Sequence, residues 1–214
     1  MNLKRLNTFI KEGRLIRANW TGTDKEGRET ACLLTALYPE VKEGDYKKCP
    51  SNEMPEWFAR LTPWIDDAGS VEKWPGVIRR YAKNIAVKLS PESWQRLEYK
   101  VKLACVVEAK KYTQDESAIA VCDDVIGLLQ RAVSNDFPSK EEWKAAEAAA
   151  WAAEAAWAWA AVAAWAAWAA WAWAWAAVAE ARAEAAAEAA WADNIIEEIF
   201  KAWEEEIENN KTVY

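Results

Sequence analysis

Two stretches of the chain place flat aromatic rings beside guanidinium groups: Met54-Pro55-Glu56-Trp57-Phe58-Ala59-Arg60-Leu61-Thr62-Pro63-Trp64-Ile65-Asp66-Asp67 and Lys73-Trp74-Pro75-Gly76-Val77-Ile78-Arg79-Arg80-Tyr81. Rings of this kind stack on a base and the cations hold phosphates, the combination a nucleotide requires. Trp57, Trp64 and Trp74 are therefore candidate stacking residues, and Arg79, Arg80 and Lys83 candidate phosphate ligands. The same tryptophans also read as core residues of a small domain short of aliphatics, with the arginines on its surface.

Other chemistry is thinner. Histidine is absent from the 214 residues, which removes Ser-His-Asp and Cys-His catalysis and most zinc hydrolase sites. The pairs Asp66-Asp67, Asp115-Glu116 and Asp123-Asp124 would point about 100° apart on a helix, so they read as solvated faces and N-terminal caps, not as two-metal clamps. Cys32, Cys49, Cys105 and Cys122 lack short chelating turns and read as reduced, buried thiols, with no metal expected. No Walker loop, GxGxxG or GxSxG occurs, and no nucleophile has a visible base. The expectation is a protein without enzymatic activity or cofactor.

The elements that position these residues divide at Asn135-Asp136-Phe137-Pro138-Ser139. All seven glycines and all seven prolines lie before Ser139. Residues 1–138 carry a formal charge of +2 and residues 139–214 a charge of -9, which marks two modules with different surfaces. The first module reads as mainly helical. Leu3 to Lys11 forms a helical stripe ending at Gly13; Thr62-Pro63 opens a short helix; Val77 to Leu89 is another. Ser90-Pro91-Glu92 starts a helix reaching about Lys111, and Thr113-Gln114-Asp115-Glu116 is a capping box for one reaching about Val133. Arg14 to Trp20 and Arg28 to Leu34, around a Gly-rich turn, read as a β-hairpin, although the second arm suits a helix equally well.

The second module opens with the capping box Ser139-Lys140-Glu141-Glu142, and nothing breaks a helix until Asn209-Asn210. Residues 145–192 contain 31 alanines, the strongest helix former. Unbroken, it would be a rod of roughly 105 Å, so a bend is expected, with Asp193-Asn194 the weakest point, or support from other subunits. On a helical wheel Trp157, Trp165, Trp168, Trp171 and Trp175 share one broad stripe, while Trp159 and Trp173 project away from it. Residues 155–179 carry no charge, so apolar surface points in more directions than the first module can cover. These seven tryptophans are the expected homo-oligomerisation surface. A membrane span is the rival, but tryptophan prefers the interfaces, Leu, Ile, Val and Phe are scarce, and the flanks are acidic. Beyond it, Ile196, Ile199, Phe200, Trp203 and Ile207 share a narrow face among glutamates, an amphipathic helix that folds back on the first module or docks on a partner.

The segments Ala31-Cys32-Leu33-Leu34, Cys49-Pro50, Met54-Pro55-Glu56-Trp57, Leu61-Thr62-Pro63-Trp64-Ile65-Asp66-Asp67, Trp74-Pro75 and Arg79-Arg80-Tyr81-Ala82, followed by the Ala/Trp-rich tail, resemble uncharacterised proteins of phages and prophages. The resemblance implies an accessory, counter-defence role and carries over no functional residue. The N-terminus has no long apolar run of a secretory signal, so the host cytoplasm is the expected location. The net charge of -7 argues against duplex nucleic acid as a partner. Two functions fit these features. One is an oligomer that sequesters a host nucleotide signal in Trp- and Arg-lined clefts; the other is an inhibitor whose acidic C-terminal helix docks on a host defence or nucleic-acid-binding protein.

Overall fold

A computed structural model describes residues 1–41, 45–50, 53–154 and 182–211. Over these residues the chain is mainly α-helical, with one small antiparallel sheet. Trp157, Trp159, Trp165, Trp168, Trp171, Trp173 and Trp175 lie outside the described residues.

Helix α1 (Leu3–Lys11) is capped by the Asn2 side chain, which accepts the Arg5 N–H, and it buries Leu6 and Phe9. It stops at Gly13, whose φ of +66° is open to glycine and costly for other residues. The hairpin is shorter and later than its sequence suggests: β1 (Thr21–Thr23) pairs with β2 (Glu29–Ala31) in the register Thr21 to Ala31, Gly22 to Thr30 and Thr23 to Glu29. Arg14 to Trp20 does not form the first arm; Leu15 bridges to Ala31 in parallel, and the Trp20 carbonyl accepts the Cys32 N–H at 3.1 Å. The helical option for the second arm is also realised, because α2 (Leu33–Leu37) follows β2 directly.

Helix α3 (Glu56–Asp67) corrects the reading of Thr62-Pro63 as a helix start, since Pro63 lies inside it. An interior proline removes a hydrogen bond at a cost of about 3 kcal/mol. Burial of Phe58, Ala59, Leu61, Thr62 and Ile65 on one face outweighs that loss, and the Thr62 hydroxyl adds a bond to the Phe58 carbonyl at 3.0 Å. Helix α4 (Trp74–Ile85) begins three residues before the expected Val77, with Pro75 in its first turn. Helix α5 (Pro91–Lys110) starts as anticipated at the Ser90 cap. In α6 (Glu116–Val133) the cap is Asp115, which accepts the Ala118 N–H at 2.9 Å, and not Thr113. Helix α7 (Lys140–Glu154) has the reciprocal capping box: the Ser139 N–H donates to Glu142 at 2.7 Å and the Glu142 N–H to Ser139 Oγ at 3.1 Å.

Helix α8 (Arg182–Lys211) is continuous through Asp193-Asn194, so the expected weak point is no break. Both side chains are tied down: Asp193 accepts the Ser70 N–H at 2.9 Å, and Asn194 donates to Glu108 at 3.3 Å. The helix folds back on its own chain. Ile195, Ile196, Ile199, Phe200, Trp203 and Ile207 enter the main core beside Phe58, Tyr81, Trp94 and Leu97. A second, smaller core joins Val106, Val121, Cys122, Val125, Leu129 and Ala146 from α5, α6 and α7. The change of composition at Ser139 therefore does not mark a change of packing for residues 195–207.

Charge pairs fix the docking of α8. Arg80 donates from Nε and Nη2 to both oxygens of Glu204, at 2.6 and 2.8 Å, and from Nη1 to Glu197 at 2.6 Å, a bidentate arrangement plus one. Its guanidinium also lies 4.9 Å above the Phe200 ring. Arg96 and Lys100 reach the fully buried Glu206, each at 3.0 Å. Close approach at the turn before α4 requires glycine: a Cβ at Gly69 would lie 2.7 Å from Asp193 Oδ1 and 3.1 Å from the Ile196 side chain. Asp193 cannot swing aside without losing the Ser70 N–H. Gly69→Ala is therefore expected to destabilise the fold by about 1–3 kcal/mol, read as a lower urea midpoint with an unchanged slope.

Candidate ligand site

A cleft of about 590 Å³ opens between the β1–β2 hairpin, the segment leading into it and the start of α4. Arg17, Asn19, Thr21, Thr23 and Thr30 supply its polar groups, and Trp74 one wall. Ile16 and Val71 complete an apolar flank, and Val71 is 69% exposed.

The segment carrying Arg17 and Asn19 is held in an unfavourable shape. Ala18 has φ +60°, a left-handed conformation that costs a residue with a Cβ roughly 1–2 kcal/mol. The Ala18 N–H donates to Asp67 Oδ1 at 2.7 Å, and Arg17 Nη2 donates to the carbonyls of Asp67 and, at 2.6 Å, Gly69. Strain of this sort persists only where surrounding bonds fix it, and it gathers at ligand sites.

Trp74 is equally fixed. Its Nε1–H donates to Asp66 Oδ1 at 2.8 Å, and the Leu33 N–H donates to Asp66 Oδ2 at 3.0 Å. The expectation of solvated carboxylates at Asp66-Asp67 is thus corrected: Asp66 is wholly buried. Burial pushes its carboxyl up to about 7, the Asp67 charge adding to the rise, while the two N–H donors and Arg17 oppose it. Burial also raises Asp67, against the pull of the Ala18 N–H and Arg17.

Of the six residues proposed from sequence, Trp74 alone lines this cleft. Trp57 is half-buried at the edge of the main core, its ring 6.2 Å from Trp94. Trp64 packs edge-on against Trp191 of α8 at 6.3 Å. Arg80 is committed to Glu197 and Glu204, and Arg79 and Lys83 are exposed elsewhere on α4. The structure therefore does not gather them into one nucleotide pocket. Arg17, Asn19, the three threonines and Asp66 were missed. Only the hairpin turn hinted at them, because their convergence depends on contacts some 50 residues apart.

A second cleft, of about 380 Å³, surrounds Phe9, with the guanidiniums of Arg5 and Arg14 at 4.6 and 4.0 Å from its ring. Both arginines are anchored to Glu29, Arg5 on its carboxylate at 2.7 Å and Arg14 on its backbone carbonyl at 3.0 Å. This arrangement braces α1 against the hairpin.

All four cysteines are free and buried, and burial raises each thiol, Cys49 to about 11 and Cys105 to about 12. They are poor nucleophiles at neutral pH. Among the described residues no cluster of ligating side chains could hold a metal ion, and no helix is long and apolar enough to cross a membrane. No protein-family model, curated protein or solved structure matches the chain.

Proposed function

We propose that this is a non-catalytic binding protein that sequesters a small planar anion of the nucleotide class in the Trp74 cleft. The observation that carries the reading is the indole of Trp74, pinned by a buried carboxylate on the wall of an open cleft that also holds Arg17 and three threonine hydroxyls. A fixed ring stacks on a base without first losing rotamer freedom, and a guanidinium with hydroxyls suits a phosphate. Arg17 is itself oriented, since its Nη2 is bonded to the carbonyls of Asp67 and Gly69 and the residue lines the cleft. The counter-defence role, and a host nucleotide signal as ligand, rest on the resemblance of the Leu61 to Asp67 segment and the Ala/Trp tail. Homo-oligomerisation rests on the uncharged tract 155–179 with its seven tryptophans, and predicts a solution mass above the 24.2 kDa of one chain.

The alternative, inhibition of a host protein through the acidic helix, has less support. Glu197, Glu204, Glu205 and Glu206 are paired with Arg80, Arg96 and Lys100 of the same chain.

Calorimetric titration of the full chain with AMP, ATP and cyclic dinucleotides tests the reading. One of them is expected to bind and to be recovered unaltered by mass spectrometry after denaturation. Trp74→Ala is expected to weaken binding by about 5- to 150-fold, the value of one base–aromatic stack. Recovery of an altered product would refute the non-catalytic half, and unchanged affinity in the variant would remove the ligand from this cleft.

A further inference from the structure

We propose that Asp66 is a positioning residue that latches the Trp74 wall of the cleft: as a carboxylate it holds the indole, and as a carboxylic acid it releases it. The proposal deepens the ligand reading above, and its first test does not depend on it.

Asp66 sits where three elements meet, the last turn of α3, the first residue of α2 and the start of α4, and each of its oxygens takes one N–H. The two donors are not equivalent. The Leu33 N–H belongs to a backbone fixed in the first turn of α2, where every residue from Leu33 to Leu37 is buried. Trp74 is the first residue of α4, half-buried and beside the cleft. A proton on Oδ1, the oxygen that faces Trp74, leaves the Leu33 contact intact and turns the acceptor of the indole N–H into a hydroxyl oxygen, a much weaker acceptor than a carboxylate. The bond to the indole is thereby weakened, and the half-buried indole is the partner that lets go.

Neither direct partner of Asp66 is charged, so no ion pair holds its proton off. The charged and titratable groups around it are Asp67 on its own helix, Arg17 from the segment before the hairpin, Cys32 at the cap of α2 and Tyr81 of α4. Asp67 disfavours a second negative charge and Arg17 favours it; Cys32 and Tyr81 are themselves buried and neutral at pH 7. With its carboxyl raised to about 7, Asp66 changes state within the ordinary range of pH.

Two measurements test the latch. In a 1H–15N spectrum of the full chain, loss of one indole cross-peak in Trp74→Phe assigns the Trp74 N–H. In the wild type that peak is expected to shift with a midpoint near pH 7, and in Asp66→Asn to stay constant. A Trp74 peak that does not move between pH 5 and 8, or that moves equally in Asp66→Asn, overturns the latch. The second measurement is the affinity of the dinucleoside monophosphate ApA, whose charge is constant over this range, at pH 6 and pH 8. If only the latched form binds, wild-type affinity is about tenfold lower at pH 6. Trp74→Phe, which keeps the ring but has no N–H to latch, is expected to show no such difference. Equal wild-type affinities at the two pH values overturn the latch. A peak that titrates while ApA fails to bind at either pH upholds the latch and counts against the ligand reading instead.

Discussion

Trp203→Ala is expected to abolish cooperative unfolding at 25 °C or reduce stability by about 3–5 kcal/mol. Trp203 is fully buried, and its ring centroid lies 4.7 Å from Phe58, 5.5 Å from Tyr81, 6.0 Å from Phe200 and 6.3 Å from Trp94. It joins α3, α4, α5 and α8 at one point. A buried indole removes about 200 Å² from water, worth about 5 kcal/mol at 25 cal/mol per Å². Total stabilities of domains are about 5–15 kcal/mol, so one truncation here consumes most of the margin. Trp203→Phe separates packing from polarity. The indole Nε1 is buried without a hydrogen-bond partner, so losing it costs no bond. The smaller ring is expected to cost about 1–2 kcal/mol. Urea denaturation followed by far-ultraviolet circular dichroism measures both, and an alanine variant with the wild-type midpoint would contradict the packing described.

The second large effect is expected where α8 meets α5. Glu206 has a side chain 1% exposed, and its charge is met by Arg96 and Lys100, 28% and 17% exposed. Arg96 Nε donates to Oε2 at 3.1 Å. Lys100 lies near Oε1 without hydrogen-bond alignment. Replacing both cations, Arg96→Met with Lys100→Met, leaves a carboxylate in the interior with no counter-charge, a change that costs about 3–5 kcal/mol. Adding Glu206→Leu removes the stranded charge and fills the site with apolar atoms, so the triple variant is expected to regain most of the loss. The comparison uses denaturant midpoints of wild type, double and triple variants. A triple variant no more stable than the double one would show that the long cationic stems, and not charge balance, hold the two helices together.

Local chemistry made most of the helices legible. Ser90 before Pro91, and Ser139 three residues before Glu142, satisfy end groups within one turn, so their spacing alone locates the helix starts. Thr113 misled because Asp115 offers a better acceptor to the same turn. Pro63 misled because proline usually opens a helix, whereas here the buried face on either side of it carries α3 through. The candidate site was far less legible. Arg79 and Arg80 are identical to any pattern argument, and only the arrival of α8 commits one of them to Glu204. Asp66 looked solvated because isolated carboxylates usually are; its burial follows from Leu33 and Trp74, which sequence spacing does not connect to it. The cleft depends on a left-handed alanine, a conformation its residue type gives no reason to expect.

The seven side chains that α8 contributes to the main core bear on how the protein is made. Phe58, Tyr81 and Trp94 leave the ribosome with no cover for one side of their cluster, and wait more than a hundred residues of synthesis for Phe200 and Trp203. Until then the nascent chain displays sticky aromatic surface, and closure across that span is intrinsically slow. Closure of this cluster therefore waits until the residues through Ile207 have been made.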